Sequence, residues 1–155
     1  MDIDGYSREV VLDHARDPRG QGLLDVFTDE TSVVRESCGD RLHLRAVLGT
    51  REPAGERIKS LGFLHGGCAL SLASASMMVE AVKGARPEEA SALSSTFRIS
   101  LRENSPSRLQ SIHPDLADLV SFTRVPLRQD CVLMAWNALD ALLATHTGRR
   151  TPDSV

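Results

Sequence analysis

Between Arg41 and Leu48 the apolar residues Leu42, Leu44, Ala46 and Leu48 alternate with Arg41, His43 and Arg45. A period of two belongs to a strand with one dry face and one wet face. Such a strand cannot stand alone, because its backbone needs neighbouring strands and its apolar face needs a covering layer. Two candidate neighbours flank it. Ser32 to Glu36 is an extended run joined to it through Cys38-Gly39-Asp40, and Ile58 to Leu64 follows after the polar loop GTREPAGER and is closed by Gly66-Gly67. Three antiparallel strands are therefore predicted, the first two forming a hairpin.

The rest of the chain has helical spacing. Tyr6, Val10 and Val11 predict a helix over 6–15, ended by Pro18, Gly20 and Gly22. From Cys68 to Val82 a stripe of mostly small residues with Leu72, Ser76 and Val79 predicts a second helix, stopped at Lys83-Gly84. Pro87 is placed to open a third, running into the polar stretch before Pro106, and His113 to Val120 is a further short helical segment. Pro126 opens the last, in which Val132, Trp136, Leu139 and Leu143 recur at helical spacing until about His146, and residues 147–155 are expected to form a frayed tail. One helix, three strands, then helices predict an α+β fold with the helices packed on one face of a small three-stranded antiparallel sheet. With 155 residues, 41% of them hydrophobic, a single domain over 1–155 is expected.

The charge balance, 18 basic residues against 21 acidic, contains no dense basic cluster, so a nucleic-acid partner is not expected. The most apolar stretches, 68–82 and 131–144, are interrupted by Glu80, Asn137 and Asp140 and do not predict a membrane span. The start MDIDGYSREV has no basic segment leading into an apolar run, which predicts a cytoplasmic protein.

Three cysteines, Cys38, Cys68 and Cys131, fall at the ends of predicted elements. An odd count in a reducing compartment argues against a disulfide framework. Their wide separation rules out the close cysteine pairs of zinc fingers and ribbons, so any shared site must be assembled by the fold. A thiol near a helix N-terminus feels the positive end of the helix dipole, which favours thiolate. Buried structural thiols, a reactive thiol and a metal site all remain open from spacing alone.

Four segments resemble the iron–sulfur cluster assembly proteins of the NifU-like/IscU-like class, and within it the SufU-like branch. They are YSREVVLDHARDPRGQGLL, CGDR, GGCALSLASASMM and PLRQDCVLMAWNAL. The long stretch between Cys68 and Cys131, including HPDLADLVSFTRVP, resembles the insertion of SufU-like members, and Val125-Pro126-Leu127-Arg128-Gln129 stands where compact scaffolds carry a chaperone-binding motif. The resemblance implies a SufE/NifU-like fold and a metal site of Cys38, Asp40, Cys68 and Cys131, holding Zn2+ in SufU-like members or iron and a nascent iron–sulfur cluster in scaffolds. It implies a cysteine desulfurase (SufS-like) as partner, Cys38 as the acceptor of persulfide sulfur, and downstream cluster-assembly proteins as recipients. Arg128 is a candidate contact to the partner. The alternative it implies is a noncatalytic scaffold on which a cluster is built and transferred. The chain departs from the family pattern at Arg35-Glu36-Ser37, at His65 and at Asp130, which stands where SufU-like members usually carry lysine. His65 and Asp130 are extra potential ligands, and His14 is expected to pack rather than ligate.

Overall fold

The computed structural model describes residues 3–36, 39–51, 55–124 and 126–150. Helix α1 (Ile3–Arg16) precedes strands β1 (Asp29–Arg35), β2 (Asp40–Arg51) and β3 (Gly55–Gly66), followed by α2 (Ala69–Val82), α3 (Pro87–Glu103), the short α4 (Ser107–Gln110), α5 (Pro114–Phe122) and α6 (Pro126–Arg150). The strands form one antiparallel sheet in the order β1-β2-β3. The predicted α+β architecture is the observed one.

The alternation in β2 does what period two requires. Leu42, Leu44, Ala46 and Leu48 are all buried, while the side chains between them lie on the other face. All three strands are longer than the apolar pattern suggests, because backbone pairing continues into polar residues such as Asp29 and Glu56. In β3 the pairing skips from Ser60 to Ile58 opposite Val47 and Leu48, leaving Lys59 as an extra residue. This bulge switches the parity of the strand, so that Ile58 joins Leu61 and Phe63 in the core and Lys59 stays exposed.

Helix α2 occupies the centre of the molecule, packed by α1, α5, α6 and β3. The sequence predicts one buried stripe, but Ser71, Ala73, Ser74, Ala75, Ser76, Met77, Met78, Val79 and Val82 are all buried. Small side chains all round allow neighbours on several sides to approach, and the serine hydroxyls are satisfied within the protein. Ser74 Oγ donates to the carbonyl of Val132 on α6 at 2.6 Å. Ser76 Oγ accepts the backbone N–H of Arg19 at 2.8 Å and lies 2.8 Å from His14 Nδ1.

Helix α6 lies against α2, α3, β1 and β2. Its Trp136 is fully buried, with its ring centroid 4.8 Å from that of Phe97 on α3. The helix does not stop at His146. It continues to Arg150, so residues 147–150 belong to α6 and not to a frayed tail, while 151–155 lie outside the described residues. The reason is an anchor that apolar spacing does not report. His146 Nδ1 lies 3.1 Å from Asp29 Oδ2 at the start of β1, and its Nε2 lies 2.8 Å from Glu56 Oε2 on β3. Among the described residues no helix is long and apolar enough to cross a membrane.

Candidate metal centre

The hairpin, the end of β3 and the start of α6 bring three predicted ligands together. One ligand atom each of Asp40, Cys68 and Cys131 lies within 4.8 Å of the others. Asp40 opens β2, Cys68 is the N-cap of α2, and Cys131 sits in the second turn of α6. Cys38, the fourth predicted ligand, lies outside the described residues; it is two residues before Asp40 in the chain. Gly39, at φ +76°, donates its N–H to the carbonyl of Arg35 at 2.8 Å and closes the hairpin turn.

Asp40 is the most enclosed of the three, 3% exposed. Its Oδ1 accepts the backbone N–H of Cys68 at 3.0 Å, and its Oδ2 lies 3.7 Å from Cys68 Sγ. That closeness depends on Gly67, where a Cβ would overlap the Asp40 carboxylate, and whose φ of +142° is one that side-chain-bearing residues rarely adopt. Cys68 is exposed. Its sulfur receives the backbone N–H of Ser71 at 3.4 Å in the first turn of α2.

Cys131 is half-buried, and Arg35 at the end of β1 donates from Nη1 to its sulfur at 3.0 Å. Burial pushes the Cys131 thiol up to about 11, the neighbouring Cys68 adds to the rise, and Arg35 opposes it. The rise runs opposite to the thiolate-favouring shift expected for a position near a helix start.

The two extra candidates fall outside the cluster. His65 Nε2 lies 2.6 Å from Ser71 Oγ, and burial lowers its pKa against the opposing pull of Asp40. The same Ser71 hydroxyl also lies 3.0 Å from the carbonyl of Cys68. Asp130 is largely exposed and faces Arg35 Nη2 at 3.9 Å. His14 packs as expected. It forms a second group of potential ligands with Glu80 and Asp115, but its two ring nitrogens face Ser76 Oγ and Asp115 Oδ2, and Arg19 lies 3.5 Å from Glu80. These contacts account for it as a clamp between α1, α2 and α5.

Tetrahedral zinc with bonds of about 2.3 Å to sulfur and about 2.1 Å to oxygen has S···O edges of about 3.6 Å. The 3.7 Å between Cys68 Sγ and Asp40 Oδ2 meets that requirement. Beside the site, Val11, Leu12, Ala15, Leu70 and Phe122 line an apolar cleft of about 400 Å³ that also takes in Cys68, Cys131 and Arg128. Arg128 is exposed at this cleft, next to the thiols. Arg35 and Gly67 are the site residues that sequence reasoning missed. Position 35 stood out only as a departure from the family pattern, and Gly66-Gly67 only as the end of a strand.

Fold and site together define a small α+β protein in which Cys68, Cys131 and the Asp40 carboxylate converge at the sheet's end, at the start of a central Ala/Ser-rich helix. The family model described as NifU-like N terminal domain matches residues 6–153, and the chain belongs to this family of iron–sulfur cluster assembly proteins. Among curated relatives, the zinc-dependent sulfurtransferase SufU of Bacillus subtilis is 30% identical over 148 residues, covering 94% of this chain and 95% of that protein. The iron–sulfur cluster assembly scaffold protein IscU of Streptococcus pyogenes is 32% identical over 131 residues, covering 84% and 77%. Among solved structures, a NifU-like protein N-terminal domain from Brucella abortus superposes with a TM-score of 0.68 at 23% identity, covering 91% of this chain and 93% of that one, and shares the fold.

Proposed function

We propose that the protein is a zinc-containing sulfur acceptor of iron–sulfur cluster assembly, taking persulfide sulfur from a pyridoxal-phosphate-dependent cysteine desulfurase. The observation that carries the reading is the convergence of Asp40, Cys68 and Cys131 within 4.8 Å, with the Cys68–Asp40 edge at 3.7 Å. The relative covered almost end to end, named as a zinc-dependent sulfurtransferase, supports it.

Cys38, Asp40, Cys68 and Cys131 would hold Zn2+, which keeps thiols deprotonated and brings no redox chemistry of its own. The acceptor is Cys38. Its thiolate attacks the outer sulfur of the donor's persulfide; a new S–S bond forms at Cys38, the donor's S–S bond breaks, and the donor cysteine leaves as thiolate. Oxidation state is conserved, since one persulfide replaces another. Cys68 and Cys131, seated at the starts of α2 and α6, stay as anchors, and Asp40 is held by the Cys68 N–H. The apolar cleft with Arg128 at its edge offers the desulfurase a contact surface beside the thiols.

The test is cysteine-dependent sulfide release with the cognate desulfurase, measured together with zinc content. Cys38→Ser is expected to abolish stimulation, because a hydroxyl cannot carry a persulfide. A variant that stimulates like the parent would sink the assignment. A colourless parent with stoichiometric zinc agrees with the sulfur acceptor, whereas a brown parent containing iron and sulfide would favour a scaffold that uses the same residues to build a cluster.

A further inference from the structure

Among the described residues the two thiol ligands of the centre are not equivalent: Cys131 has a cation at hydrogen-bond distance of its sulfur and Cys68 does not. Arg35 Nη1 donates to Cys131 Sγ at 3.0 Å, and Nη2 faces Asp130 Oδ2 at 3.9 Å. The Arg35 side chain is 19% exposed, and its strand position pairs with Asp40 across the hairpin. Arg35 thus reaches the centre from β1, an element that supplies no ligand among the described residues. Cys68 Sγ instead has the backbone N–H of Ser71 and the side chains of Asp40 and Ser71.

Resting on the reading of Cys38, Asp40, Cys68 and Cys131 as a zinc site, we propose that Arg35 is the positioning and charge-balancing residue of the centre, holding Cys131 as a permanent ligand. Three thiolates and a carboxylate around a divalent ion leave an excess of two negative charges, in a place where two of the donors are half-buried or buried. A guanidinium at hydrogen-bond distance offsets part of that excess, and the offset is larger for the metal-loaded site than for one whose thiols carry their protons. The N–H···S bond also draws electron density from the Cys131 sulfur, making it a poorer nucleophile than an unbonded thiolate. Cys131 is thereby kept out of sulfur transfer. Arg35 of β1 thus faces Asp130 on α6 as well as the Cys131 sulfur.

The experiment uses the full chain with Zn2+ and Co2+ as probes. Zinc affinity is measured by competition with a chromophoric chelator, and the sulfur-to-cobalt charge-transfer band is recorded for the parent, Arg35→Gln, Arg35→Lys and Cys131→Ser. Arg35→Gln is expected to weaken zinc binding by about tenfold or more and to move the band to lower energy, since the sulfur loses a charged donor. Arg35→Lys keeps the charge and should recover most of the affinity, which a purely structural role for Arg35 would not predict; it also carries the test if Arg35→Gln does not fold. Unchanged affinity and band in Arg35→Gln, while Cys131→Ser loses metal, would overturn the role of Arg35 and leave the metal site standing. A parent that takes up neither ion would overturn the metal site itself, and this inference with it.

Discussion

Replacing Gly67 with alanine tests how tightly the site is built. The substitution adds a methyl group where the Asp40 carboxylate already sits, at a φ of +142° that side-chain-bearing residues rarely adopt. Holding alanine in such a region costs about 1–3 kcal/mol. Displacing Asp40 also breaks the 3.0 Å bond from the Cys68 N–H to its carboxylate, a charge-assisted bond of about 1.5–3 kcal/mol. Together, Gly67→Ala should cost roughly 3–6 kcal/mol, a fall in Tm on the order of 10 °C for a chain of this size. Asp40→Ala loses the same bond without the backbone strain. In the double variant the collision is gone and the bond is lost only once, so the combined cost should fall short of the sum by about 1.5–3 kcal/mol. Thermal or urea unfolding of the four proteins with a chelator present, to separate fold from metal, measures the cycle. Costs that add to within about 0.5 kcal/mol would mean that Gly67 and Asp40 act independently, and the close-approach argument would fail.

Chelation should lower the Tm of the metal-loaded parent by roughly 5–10 °C, because binding free energy at a site formed only by folding is also folding free energy. Cys68→Ser and Cys131→Ser should lose zinc and most of that chelator sensitivity; equal melting with and without chelator in the parent would refute this. Ser76→Ala removes the hydroxyl shared by Arg19 N–H and His14 Nδ1, and should cost about 1–3 kcal/mol in urea unfolding as the buried His14 and the partly buried Arg19 N–H each lose a partner. An unchanged midpoint would show that water replaces it. His146→Ala removes the link from α6 to Asp29 and Glu56. Hydrogen exchange should then speed up selectively in the last turns of α6, and uniform protection across the helix would count against the anchor.

The three strands and the starts of α3 and α6 were legible because each is dictated by neighbours in sequence. Alternation from Leu42 to Leu48 fixes which face of β2 is dry, and Pro87 and Pro126 mark where α3 and α6 begin. The family motifs around the three thiols likewise stand in the linear chain, and they point to Asp40, Cys68 and Cys131. Other features were settled only when elements met. Burial on nearly every side of α2 depends on what packs around it, and apolar periodicity counts only the residues of the helix itself. The extension of α6 to Arg150 depends on carboxylates from β1 and β3, and the parity of β3 on a bulge set by its pairing with β2. The hydrogen bond from Arg35 to Cys131 joins residues far apart in sequence, and the need for glycine at 67 arises from the side chain of Asp40 on another strand. Local periodicity records the environment of an element averaged along its length. Which two side chains touch is decided by the packing of the elements against one another, and that contact is what makes one cysteine of this site chemically unlike another.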